Sequence, residues 1–178
     1  MDDAAATEPP QPRAGREALE RPGPAVAPPA HARAEIADPD RLLGPPQLRW
    51  LSARLEAALA HLGTPGEVRL RLVADAEMSR ANRDYAGHAG TTDVLTFDLS
   101  PPADSGGRLD ADLLLCVDEA RRQADRRAHP LERELLLYAL HGVLHCLGHD
   151  DHDEAAAARM HRCEDDILIA IGVGPTYA

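Results

Sequence analysis

Apolar side chains recur along this chain with two periods, and the switches between them divide it into elements. Over residues 47–62, Leu48, Leu51, Leu55, Ala58, Leu59 and Leu62 fall at helical spacing. Gly44-Pro45-Pro46 reads as a breaker before that helix, and Gly63-Thr64-Pro65-Gly66 closes it. Residues 67–73, EVRLRLV, alternate strictly, with Val68, Leu70 and Leu72 on one side and Arg69 and Arg71 on the other. That alternation predicts a strand with one wet face.

The same reading predicts strands at 32–38 (ARAEIAD), 94–99 (VLTFDL) and 112–117 (DLLLCV), the last apolar enough to lie inside a sheet. A short helix is expected over 76–85, and loops over 86–90 (AGHAG) and 101–108 (PPADSGGR). From Asp118 the chain reads as helix almost to its end. One helix runs to about Arg127, where Ala128-His129-Pro130 breaks it. A second spans 131–147 and is too apolar for the surface, and a third spans 154–171 with Met160, Cys163, Ile167 and Ile171 on one side. The expected fold class is α/β (mixed α+β), a small mixed β-sheet packed with about five helices.

Composition changes the picture at the start of the chain. Residues 1–31 are rich in Pro and Ala and poor in large aliphatic side chains, so they cannot bury enough apolar surface to offset ordering entropy. A disordered tail is expected there, with one domain over 32–178. The N-terminal segment lacks the basic start and apolar run of a secretory signal, and no stretch approaches a membrane span. Cys116, Cys146 and Cys163 are an odd number without CxxC spacing, which points to a reducing cytoplasm rather than a disulfide framework. The formal net charge of -11 argues against non-specific coating of nucleic acid. There is no lysine, so any permanent cationic contact to phosphate must come from Arg.

The candidate chemistry lies in HGVLHCLGHDDH, residues 141–152. His141 and His145 are four apart on the apolar helix, which puts both imidazoles on one face, one turn apart, where they can bind one cation. Two histidines on a buried helix are costly unless something pairs with them. Gly148 allows the chain to fold back on the helix end, and His149, Asp150, Asp151 and His152 follow as possible third ligands. Two helical histidines and one further ligand leave a coordination position open, as catalytic zinc requires. The familiar helical zinc motif carries Glu after the first His as general base. Gly142 stands there and cannot take a proton, which disfavours a peptidase-like zinc hydrolase.

These residues resemble the YbeY family, bacterial endoribonucleases acting in ribosomal RNA maturation, whose signature is close to HGxLHLxGYDH. Upstream, Asn82, Tyr85, the segment Thr92-Asp93-Val94-Leu95-Thr96-Phe97, the Asp112-led strand and Gln123-Ala124 stand in the order the family shows. The resemblance covers roughly residues 66–172. It implies a zinc-dependent, single-strand-specific endoribonuclease in ribosomal RNA maturation and ribosome quality control. One Zn2+ per chain is implied, with ribosomal RNA and the small ribosomal subunit as partners, and neither a membrane nor a nucleotide cofactor. His141, His145 and Asp151 or His152 are the implied metal residues, with Asp150 beside them in the catalytic set. The family's third His falls on Asp151, with His152 one residue later; register favours Asp151 and ligand chemistry His152. Two further departures are Ala86, where the family often carries an Arg held important for activity, and Ala111, where it carries Gly. The missing Arg at Ala86 and the acidic net charge keep open a metal-stabilised ribosome assembly factor with weak or no nuclease activity.

Other residues have two readings each. His149, Asp150 and whichever of Asp151 and His152 is not a ligand are candidates for the general base. Asp93 is expected to hold the loop before its strand, and His88 to be solvated. Arg69 and Arg71 could contact RNA phosphate or form a solvated edge. Cys146, about 100 degrees round the helix from His145, is expected to pack as a small apolar group.

Overall fold

The computed structural model describes residues 31–100 and 107–177. The expected tail, 1–31, and the expected loop, 101–108, lie outside the described residues except for His31, Gly107 and Arg108. The described chain is a mixed α/β fold with four strands and five α-helices. Strands β1 (Ala32–Ala37), β2 (Gly66–Val73), β3 (Val94–Asp98) and β4 (Leu109–Cys116) form one sheet in the order β1-β2-β4-β3. The first three in that order are parallel, and β3 runs antiparallel on the edge beside β4. The helices are α1 (Pro45–Leu62), α2 (Asp75–Ala81), α3 (Val117–Arg127), α4 (Leu131–Cys146) and α5 (Glu154–Ala170).

Three boundaries differ from the periodicity reading, each for a local reason. Pro45 and Pro46 do not precede α1 but begin it. The first turn of a helix has no intrahelical acceptor for its N–H groups, so proline loses nothing there. The Gln47 side chain accepts from the Gly44 N–H at 3.1 Å and steadies that end. Strand β4 starts at Leu109, because Leu109, Ala111, Leu113 and Leu115 all face the core while Asp110 and Asp112 face out. Its last apolar residue, Val117, already opens α3. The helix expected over 76–85 is α up to Ala81 and then widens to a π-helical turn over Asn82–Ala86. Asn82, buried, donates its side-chain N–H to Gly90 O at 3.1 Å and so closes the loop that follows.

One face of the sheet carries the core. Val68, Leu70 and Leu72 of β2 and Leu113 and Leu115 of β4 pack against Leu51, Leu55 and Leu59 of α1 and Leu136, Leu140 and Val143 of α4. Each fully buried Leu is worth about 1.5–3 kcal/mol relative to exposure. Helix α4 buries ten residues, so it is fixed in the centre of this layer. The other face is apolar at one end, where Val73, Met78 and Cys116 cluster with Leu95 and Leu114, and charged at the other. Arg69 is gripped by Asp110 and Asp112, which hold its guanidinium well above the usual range, and Arg71 pairs with Glu77 at 3.1 Å. Both arginines are ion-paired on this part-exposed face. Among the described residues, no helix is long and apolar enough to cross a membrane.

Candidate metal centre

The site forms where α4 ends. Gly142 explains how α4 approaches the sheet: a Cβ there would stand 2.8 Å from both Leu113 Cδ2 and Thr96 Oγ1. A side chain at this position would have to displace the ends of the Leu113 and Thr96 side chains, so Gly142 lets α4 lie close against β3 and β4. Six residues later Gly148 adopts a φ of 88°, in the left-handed region. That lets the His149 N–H reach back to Leu144 O at 3.0 Å and the Gly148 N–H to His145 O at 3.0 Å. The chain thus reverses over the helix end and carries residues 149–152 above the two histidines. Asp153 then caps α5, accepting from Ala156 N at 2.7 Å.

The two imidazoles are oriented from behind. His141 Nδ1 lies 2.9 Å from Oε1 of Glu164, a fully buried residue of α5. His145 Nδ1 lies 3.1 Å from the backbone carbonyl of His149. A carbonyl can only accept, and a carboxylate in this position accepts, so each Nδ1 carries the proton. In the neutral rings both Nε2 atoms then present lone pairs, and these face each other across 3.1 Å. Asp151 completes the set, its Oδ2 3.6 Å from His141 Nε2 and its Oδ1 3.8 Å from His145 Nε2.

Three electron-pair donors converging without a proton between them repel one another, and a cation relieves that repulsion. The spacing fits zinc. Ligands at about 2.0–2.1 Å from a tetrahedral ion stand about 3.3 Å apart, and the observed separations run from 3.1 to 3.8 Å. Burial would lower the His141 pKa, but the Glu164 hydrogen bond and charge, with help from Asp93 and Asp151, raise it above the ordinary value.

His141, His145 and Asp151 are therefore brought together, and His152 is not part of that set. A second group, Asp150, Asp151 and His152, has donor atoms within 4.8 Å of one another but is wholly exposed. There Asp150 accepts from His152 N at 2.9 Å, which is the work of a turn. The first group is the better built, because its two histidines are partly buried and held from behind at Nδ1, while Asp151 reaches them from the exposed turn. His149 is exposed and contributes its carbonyl. Asp93 does steady its strand, accepting from Val94 N at 2.8 Å and Thr92 Oγ1 at 3.0 Å. It also lines a cleft of about 490 Å³ that opens on His141 and Asp151. Cys146 packs against the core, with its thiol pushed up to about 11 by burial, first of all, and by Asp98. His88 and Ala86 are exposed. Sequence reasoning missed Glu164 and the cleft. The only trace of Glu164 is its place on the apolar side of α5, between Met160 and Leu168.

Comparison with known proteins gives consistent matches. The family described as Endoribonuclease YbeY matches residues 47–172. The Endoribonuclease YbeY of Moorella thermoacetica is 40% identical over 144 residues, covering 75% of this chain and 92% of that protein. The Endoribonuclease YbeY of Desulfitobacterium hafniense is 39% identical over 136 residues, covering 69% of this chain and 87% of its own.

Proposed function

This chain belongs to the Endoribonuclease YbeY family, and we propose that it is a zinc-dependent, single-strand-specific endoribonuclease of ribosomal RNA maturation. We place it in the cytoplasm, with ribosomal RNA and the small ribosomal subunit as partners and residues 32–178 as one metallohydrolase domain. His141, His145 and Asp151 are the residues we assign to one zinc ion per chain. The observation that carries this is the pair of Nε2 atoms 3.1 Å apart with Asp151 beside them, each ring held at Nδ1 by an acceptor. The open cleft beside them supports a catalytic site rather than a closed structural one.

Zinc at this position supplies Lewis acidity toward a phosphoryl oxygen and toward water. The protein's own groups do the rest. Glu164 holds the His141 proton at Nδ1 and keeps Nε2 bare. Asp93 is our choice of general base, since one of its oxygens is committed to Val94 and Thr92 while the residue faces the cleft. It would take a proton from water as that oxygen bonds to phosphorus and the phosphorus–oxygen bond of the leaving ribose breaks.

One feature favours the second reading, an assembly factor with weak nuclease activity: Ala86 stands where the resemblance expects an Arg. The test is cleavage of single-stranded RNA and of a peptide, each with and without chelator. RNA cleavage that chelator abolishes supports the proposal. Metal-dependent RNA binding without cleavage supports the assembly factor, and peptide cleavage would return the peptidase reading.

A further inference from the structure

Away from the metal centre, the cleft offers few cationic contacts to a phosphate backbone. Asp93, Glu119, Glu134 and Asp151 all line it. Among the described lining residues, Arg127 carries the one guanidinium, and it is already engaged by Glu134 at 3.1 Å. Proteins that track phosphates do so with free Lys and Arg, and this wall offers carboxylates instead. A neutral portion of a nucleotide meets no such repulsion.

The far wall offers what a base needs. His161 of α5 and Tyr177 stack with ring centroids 3.9 Å apart and planes 12° from parallel. The Arg127 guanidinium lies 5.7 Å from the Tyr177 ring centroid, so three flat groups stand together at the edge of the cleft. The position of Tyr177 is fixed by its backbone. Asp165, buried, accepts from Thr176 N at 2.6 Å and from Tyr177 N at 3.1 Å. Arg133 donates to the carbonyls of Gly174 and Pro175. Tyr177 is 41% exposed, so its side chain is open to solvent.

We propose that the Tyr177–His161 pair, flanked by Arg127, is a stacking platform that receives one nucleobase of a single-stranded RNA beside the metal centre. This rests on the nuclease reading above and adds to it how the strand is held: by the flat face of a base rather than by phosphate contacts. Stacking on aromatic rings tolerates any base and requires an unpaired one.

The test uses the full chain loaded with zinc and a single-stranded RNA oligonucleotide, together with a series carrying one abasic nucleotide at successive positions. Tyr177→Ala is expected to raise KM and weaken oligonucleotide binding roughly five- to a hundredfold. Tyr177→Phe, which keeps the ring, should recover most of that affinity, and zinc content should be normal in both. One abasic position should cost the wild type about as much and cost Tyr177→Ala little more. Unchanged KM and binding in Tyr177→Ala would overturn the platform, as would losses that add at every abasic position. If wild type with full zinc fails to cleave any RNA, the nuclease reading fails instead. Binding that still depends on Tyr177 would then keep the platform.

Discussion

Glu164 and His141 meet through a 2.9 Å contact between Oε1 and Nδ1, buried between α4 and α5. Glu164 is fully buried, and its Oε2 has no hydrogen-bond partner among the described residues. A carboxylate held in such surroundings is expensive, and the return is an imidazole with its tautomer and angle fixed. Glu164→Ala should therefore weaken zinc binding about 10–100-fold, with a smaller loss in Glu164→Gln, which keeps an acceptor oxygen. Competition against a chelator measures both. Unchanged affinity in a folded Glu164→Ala protein would show that the contact is only structural.

Asp93→Asn tests the assignment of the general base. The amide keeps the shape and one carbonyl oxygen, so the turn before β3 should hold and zinc should remain. RNA cleavage should fall about 10²–10⁴-fold. A near-normal rate would move the role to another residue.

Gly142 is predicted to be a packing residue. Its missing Cβ would meet Leu113 and Thr96 at 2.8 Å, so Gly142→Ala should destabilise the fold by about 1–3 kcal/mol. Urea unfolding of the metal-loaded proteins reads this, and equal midpoints would mean that α4 has room to spare.

The acid limb of stability should carry a contribution from Asp75. The Arg122 hydrogen bond, above all, lowers its pKa from 3.8 to about 2. A carboxylate depressed in the folded state stabilises above its unfolded pKa, and that contribution is lost as pH falls through the folded value. The loss should fall between about pH 4 and pH 2 and be modest, because the pair is largely solvated. Asp75→Asn should flatten the unfolding midpoint against pH in that window; an unaltered slope would remove Asp75 from the account.

Much of this molecule could be read from its sequence, because its signals are local. The period-two run around Val68, Leu70 and Leu72 and the period-3.6 run of α1 are imposed by elements that bury one side each. His141 and His145 declare themselves by spacing on a helix that is otherwise apolar. What could not be read depends on tertiary contact. Glu164 is 23 residues from His141 in the chain and looks like any acid on an amphipathic helix. Register alone favours Asp151 over His152, and the distances that group it with His141 and His145 come from how far the reversal at Gly148 carries the backbone. The neutralisation of Arg69 needed the register that sets it opposite Asp112.

The central claim is that His141, His145 and Asp151 hold one zinc ion, and elemental analysis of the purified protein and its variants tests it most directly. The account predicts about one zinc per chain in the wild type, loss of most of it in His141→Ala and Asp151→Ala, and retention in His152→Ala. A normal zinc content in His141→Ala would contradict the metal centre itself. Loss in His152→Ala with retention in Asp151→Ala would contradict the choice of third ligand.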